Sequence, residues 1–146
     1  LNTISARDLG INVAGTNGLY LWLLASFLMG KRIRSTVAVA AYQVLIDQQG
    51  LDTPRKLGRA SHSLLVRLLG QAGYTRYDES TARRLHMLGD KLEAELDHQL
   101  GVLQNGEQNI DGFQQWLLSF EGIGPKTVEI FMREASALLS AQGEEG

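Results

Sequence analysis

Apolar residues along this chain recur at helical rather than strand spacing, and they mark out a succession of helices separated by glycine-rich turns. The run from Leu19 to Met29 is apolar on every face of a helix, which predicts a buried central element ended by Gly30. Ser35 or Thr36 caps a second helix through Gln49, with Val37, Ala40, Ala41, Val44 and Leu45 on its stripe and Gly50 as its stop. Asp52-Thr53-Pro54 starts a short helical turn. Ser61 to Leu69 makes another helix, with Leu64, Leu65, Leu68 and Leu69 inward and Gly70 and Gly73 closing it. The longest helix runs from about Glu79 to Val102 with Asp78 as its cap, and Leu85, Leu88, Leu92, Leu96 and Leu100 repeat along it. Asp111 to Ser119 and Pro125 to about Leu139 complete the set.

No segment carries a strand pattern, an internal repeat or a low-complexity linker. The expectation is an all-α fold, a bundle or orthogonal barrel of six to eight helices over residues 19–140. Residues 1–18, rich in glycine and asparagine, read as a loosely attached N-terminal arm with one short helix over Ser5 to Ile11, and residues 141–146 as a flexible tail.

Composition narrows the class. At 146 residues, 44% hydrophobic and 21% charged, the chain is about one globular domain with a sizeable core. It has no cysteine, which excludes disulfides, zinc-thiolate sites and a cysteine-held iron-sulfur cluster. The apolar run at Leu19 is too short to span a bilayer and lacks the marks of a signal peptide, so the expected address is intracellular and cytoplasmic, nucleoid-associated if the chain binds DNA. Net charge is −2, but its distribution is uneven: Lys31 to Arg84 holds ten basic residues against four acidic, and Leu85 to the end holds three against eleven. Such a split lets one face meet phosphate while the other is repelled; solvated helix faces give the same pattern.

The stretch with the most chemistry is Phe120-Glu-Gly-Ile-Gly-Pro-Lys-Thr-Val-Glu-Ile-Phe131. A helix runs into two glycines flanking one aliphatic residue, and a second helix starts at a proline in its first turn. Gly122 and Gly124 leave the backbone bare, so amides of the turn and of the new helix can converge on an anion.

Gly122-Ile123-Gly124-Pro125-Lys126-Thr127 after an apolar helix resembles the helix-hairpin-helix motif, and more narrowly that of the DNA glycosylase superfamily that includes endonuclease III. Leu19 to Met29 resembles the first barrel helix of that family. Leu69-Gly-Gln-Ala-Gly-Tyr74 followed by Ser80-Thr-Ala-Arg-Arg84 resembles the loop and helix with which it grips DNA backbone. The resemblance implies binding of double-stranded DNA and base-excision repair, with Gly122 to Thr127, Lys31, Arg32, Arg34, Arg76, Tyr77 and Arg83 as DNA contacts. It implies no cofactor beyond a monovalent cation that the hairpin carbonyls can hold. Lys126 matches the lysine that bifunctional members use as a Schiff-base nucleophile before β-elimination, a role that needs a neutral amine and hence burial or cationic neighbours. In non-catalytic relatives of the motif a lysine there contacts phosphate.

Several positions depart from the family pattern. The catalytic aspartate stands about eighteen residues after the lysine; that spacing reaches Glu144, in a segment with no apolar anchor. Where the family has a Ser-Ala-Gln string this chain has Met29-Gly30-Lys31. Glu121, an acid beside the proposed phosphate site, stands where proline is common. Most of the second subdomain that closes the family's cleft is lacking, which leaves its completion to a protein partner or to self-association. A non-catalytic DNA-binding domain or a protein-interaction module therefore stands beside the enzyme reading.

Outside the motif, His62, His86 and His98 are scattered, with only Asp90 one helical turn from His86. Trp22 and Trp116 fall on apolar faces as core residues. Tyr74 and Tyr77 flank Arg76 in a loop, where an aromatic ring can either lie along nucleic acid or pack under the next helix.

Overall fold

The apolar run folds as a helix, α1 (Thr16–Met29), that is enclosed on nearly every side: Leu19, Tyr20, Trp22, Leu23, Leu24, Ala25, Phe27 and Leu28 are all buried. A computed structural model of the chain describes residues 3–74 and 76–145, the last five of them by backbone alone. Polar groups on α1 are satisfied within the core. The Ser26 hydroxyl donates to the Trp22 carbonyl at 2.7 Å, the Trp22 indole to the Phe131 carbonyl at 3.1 Å and the Tyr20 hydroxyl to the Leu51 carbonyl at 2.8 Å. Burial pushes the Tyr20 phenol far up, which keeps it a donor.

After α1 come α2 (Ser35–Tyr42), which continues as a widened π turn over Gln43–Gln48, then α3 (Pro54–Arg59), α4 (His62–Gln71), α5 (Asp78–Gln104), α6 (Ile110–Leu118) and α7 (Pro125–Glu145). Among the described residues there are seven α-helices and no strand, so the chain is all-α as expected. The helix over Ser35 to Gln49 is found, but its buried stripe is Ala38, Ala41, Tyr42, Val44 and Leu45; Val37 and Ala40 are half-buried. Thr53 and Ser61 cap α3 and α4 by accepting the amides of Lys56 and Leu64.

Helix α5 forms a spine. Helices α3 and α4 pack on it, α7 packs on it as well, and α7 also touches α1 and α6. Leu85, Leu88, Leu92 and Leu96 are buried along it as their spacing predicts, each side chain contributing about 1.5–3 kcal/mol. Its start differs from expectation. Tyr77, not Asp78, occupies the cap position, with no side-chain cap bond and a φ of 61°, while Asp78 is the first helical residue and accepts the amide of Glu79.

Two further expectations are corrected. The N-terminal arm is not loose: a short 3-10 turn at Arg7–Leu9 brings Ala6 and Ile11 into the core, and the Ala6 amide donates to Glu134 on α7 at 2.6 Å. Asn12 and Val13 lie so close to Gly18 that a Cβ there would overlap the Asn12 carbonyl. The C-terminal segment, expected to leave the helix at Leu139, continues as helical backbone to Glu145.

Helices α3 and α5 cross at two glycines. A Cβ on Gly89 would stand 2.4 Å from the Gly58 amide nitrogen and 2.8 Å from the Pro54 carbonyl oxygen, whereas one on Gly101, in the same helix, would meet nothing within 4 Å. Backbone cannot yield as a side chain can. Gly89→Ala is therefore expected to destabilise the fold by about 1–3 kcal/mol through overpacking, and Gly101→Ala to stabilise it by up to about 1 kcal/mol. Denaturant unfolding of the two variants beside the parent checks both signs.

Candidate nucleic-acid interface

The turn between α6 and α7 is built on α1. Gly30, at the end of α1, lies against Thr127: a Cβ on Gly30 would fall 2.2 Å from the Thr127 hydroxyl and 3.2 Å from its Cα. Thr127 is buried by this contact, 2% exposed, and so fixes where α7 begins. One residue on, the Lys31 ammonium reaches back across the turn. It donates to the Gly122 carbonyl at 2.5 Å and sits 4.3 Å from the centre of the Phe27 ring. Burial, and secondarily the Arg84 guanidinium, push Lys31 below the ordinary lysine range; the carbonyl and the ring face work against that by favouring its charge.

Gly122 takes a φ of 91°, a conformation that favours glycine, and a Cβ there would meet Arg84 and Phe27 at 2.9 Å. Ile123 is buried, and its amide donates to the Phe120 carbonyl at 3.2 Å; the Val128 amide donates to the Gly124 carbonyl at 3.1 Å. Among the described residues, the amides of Gly122, Gly124, Lys126 and Thr127 donate to no other protein group. They form the bare edge that the two glycines predict.

Glu121, the acid expected to repel an anion here, is held by two arginines. Its carboxylate is 2.6 Å from Arg83 and 3.2 Å from Arg84, and these hydrogen bonds hold its carboxyl below the ordinary carboxylate range. Linkage follows with a definite sign: the clamp's contribution is present above the ordinary value of 4.5 and is lost as pH falls through the lowered one. Lys31 and Arg83 are thus occupied inside the protein rather than free toward a ligand.

Lys126 projects from the first turn of α7, 62% exposed, with the Glu129 carboxylate at 3.9 Å. Arg133 holds the same carboxylate oxygen at 2.8 Å, and Lys126, Ile130 and Arg133 line a cavity of ≈ 250 Å³ with Thr3, Ile33 and Met29. Glu144 is not brought to this place. Continuous helix separates it from Lys126, and eighteen residues at ~1.5 Å each put their backbones ~27 Å apart; the Glu144 side chain lies outside the described residues. The acid that does stand near Lys126 is Glu129, one helical turn on, which spacing alone could have suggested.

The remaining expected contacts gather at a second place. Arg32 and Arg34, from the α1–α2 connection, and Arg76 and Tyr77, from the α4–α5 connection, line one groove of ≈ 600 Å³ together with Val37 and Tyr74. The two tyrosines part company here: Tyr74 is 7% exposed and Tyr77 70%. Burial pushes the Tyr74 phenol up to about 12, so it stays protonated, yet its buried oxygen has no hydrogen-bond partner among the described residues. The sequence sets Tyr74 beside Arg76 and Arg84 in the Ser80–Arg84 stretch, but nothing in their spacing foretells the buried, unpartnered hydroxyl of the one or the Glu121 pairing of the other.

Among the described residues, no three His, Cys, Asp or Glu side chains come together as metal ligands, and no helix is long and apolar enough to cross a membrane. His86 pairs with Asp90 at 3.2 Å and His62 with Glu79 at 2.8 Å, both near solvent. Trp116 is core, donating to Glu95 at 2.9 Å. A scan against protein-family models and searches of the curated proteins and of the solved structures found no match.

The Lys31 bond carries a prediction. Lys31→Met removes the donor while keeping contact with Phe27, leaving the Gly122 carbonyl short of a partner. Stability is expected to fall by about 1–3 kcal/mol, with hydrogen exchange quickening first at the Ile123 and Val128 amides.

Proposed function

We propose that the protein is a DNA-binding domain of the helix-hairpin-helix, glycosylase-like type, in which the α6–α7 hairpin and the groove arginines hold backbone phosphates of a duplex. The observation that carries this reading is the pairing of two anion-seeking surfaces: unpartnered amides at Gly122, Gly124, Lys126 and Thr127, and the groove of Arg32, Arg34 and Arg76. Helix-start amides and guanidiniums are the groups that bind phosphate without reading sequence. Neutralisation of Glu121 by Arg83 and Arg84 supports it further, because the one acid in the turn then repels no phosphate.

Salt is the test. With Arg32, Arg34, Arg76 and Lys126 each meeting one phosphate, log K falls by about 0.9 per contact for each decade of salt. Affinity for a plain duplex is then expected to drop about 100-fold between roughly 50 and 200 mM salt. Glu121→Gln releases the two clamped arginines, so its affinity is expected to rise and its salt slope to steepen by up to about 2. Binding that ignores salt, or an E121Q variant no tighter than the parent, sinks the reading and leaves a protein-interaction module.

A second reading, that the domain also cleaves at abasic sites, is favoured by Arg133. It shares the Glu129 carboxylate with Lys126 and lines the same cavity, so an amine, a second cation and an acid stand together at one opening. On this reading the Lys126 amine adds to the C1′ aldehyde of the abasic sugar and water leaves to give a Schiff base; loss of a C2′ proton then expels the 3′ phosphate, with Glu129 the nearest acid to carry the protons. Borohydride reduction of the protein on abasic duplex should then trap an adduct that Lys126→Ala abolishes and Glu129→Gln weakens. If no adduct forms while salt-sensitive binding is seen, the domain binds without chemistry.

A further inference from the structure

A cavity of ≈ 460 Å³ lies between α5 and the Ser119–Glu121 segment that leads out of α6, and neither the bare amides nor the arginine groove makes use of it. Its size is that of a small-molecule site, commonly about 300–1,000 Å³. On α5, Met87, Lys91 and Glu95 follow at four-residue steps and so share one face. Met87, 41% exposed, is apart from Tyr77 the one large hydrophobic side chain exposed among the described residues, and it lines this cavity. Leu88 and Phe120, both buried, complete the apolar wall. The Phe120 ring is fixed by an edge-on contact with Trp116, the ring centres 5.0 Å apart.

Four ionisable groups line the same cavity, and three of them are carboxylates with partners of their own. Glu121 holds Arg83 and Arg84, Glu95 accepts the Trp116 indole N–H at 2.9 Å, and Asp90 stands 3.2 Å from His86. Lys91 differs. Among the described residues its ammonium meets no carboxylate; it donates to the Ser119 hydroxyl at 2.7 Å and lies 4.6 Å from the centre of the Phe120 ring. Ser119 in turn donates to the Trp116 carbonyl at 2.5 Å, so the ammonium is held in place by groups that carry no negative charge. A hydroxyl and a ring face leave part of its three-donor capacity unused.

An apolar wall beside a positioned cation without a counter-ion calls for a ligand with an apolar body and one negative end. Carboxylate suits the place better than phosphate, because a single ammonium answers one charge and Asp90, Glu95 and Glu121 would repel a second. The Met87 thioether and the Phe120 ring favour an aromatic body over an alkyl one. We infer that this cavity binds a small arylalkyl carboxylate, its ring system against Met87, Leu88 and Phe120 and its carboxylate on Lys91. The inference goes beyond the DNA-binding reading and does not depend on it, since Lys91 belongs to neither anion-seeking surface.

The experiment is a residue-resolved NMR titration of the whole chain with naphthylacetate and, in parallel, with the uncharged naphthylacetamide. Naphthylacetate is expected to saturate with a dissociation constant of about 1 mM or below, as its size allows, and to shift the resonances of Met87 to Lys91 and of Ser119 to Gly122. Naphthylacetamide should bind about tenfold more weakly, for want of the charge-assisted bond. Lys91→Met keeps an apolar stem over Phe120 and should bring the two probes to equal affinity. Met87→Glu, at an exposed position, should weaken naphthylacetate by at least about tenfold by setting a second negative charge in the wall. On the parent alone, shifts that do not saturate, shifts centred elsewhere, or equal affinity for the two probes overturn the inference. A preference for naphthylacetate that survives Lys91→Met overturns it as well.

Discussion

Because α1 is apolar on all its faces, it must be enclosed, and its enclosure by α2, α7 and the N-terminal turn decides where its end emerges. That end is Gly30, pressed against Thr127, followed by Lys31 bonded to the Gly122 carbonyl. The start of α7 and the shape of the α6–α7 turn are therefore set by packing against α1 rather than by the turn's own residues. Gly122 completes the arrangement: its positive φ and the lack of room for a Cβ make the turn and the Phe27–Lys31–Arg84 cluster one unit. A buried helix thus ends in a surface of bare amides, held still by a charge inside the protein.

How much of this is legible from the sequence depends on what carries each feature. The helices are legible because burial imposes period: Leu85, Leu88, Leu92 and Leu96 announce α5, and the unbroken run at Leu19 announces a helix with no exposed face. Close approaches are not. Nothing local marks Gly58 and Gly89 as a crossing point, or Gly30 as the neighbour of Thr127, since each is set by a partner far along the chain. The arm's attachment through Ala6 and Glu134 is hidden for the same reason. At α5, Asp78 has the residue type of a cap, but the tertiary course of the loop puts Tyr77 in that position.

Within the site, residue types were legible and their employment was not. Arg32, Arg34, Arg76 and Tyr77 come together as their character suggests. Lys31 and Arg83 have the same character but are bonded within the protein, one to a carbonyl and one to Glu121. The sequence separation that links Lys126 to Glu144 fails for a geometric reason: a spacing measured along the chain implies proximity only if the chain turns back, and α7 does not.

On the proposed reading, a net charge of −2 and an anion-binding face are compatible because the charges are segregated and because the acid nearest the bare amides is cancelled. What distinguishes the hairpin from the groove is their degree of completion. At the hairpin, Lys31 and Thr127 are packed and Glu121 is doubly paired, so the turn is rigid before any ligand arrives. The groove retains a strained Tyr77 and an orphaned Tyr74 hydroxyl, each unfavourable in the free protein. At the hairpin the Gly122 carbonyl and the Glu121 carboxylate already have partners, whereas the buried Tyr74 hydroxyl has none among the described residues. On the DNA-binding reading proposed above, the pre-set hairpin therefore supplies general adhesion to the backbone.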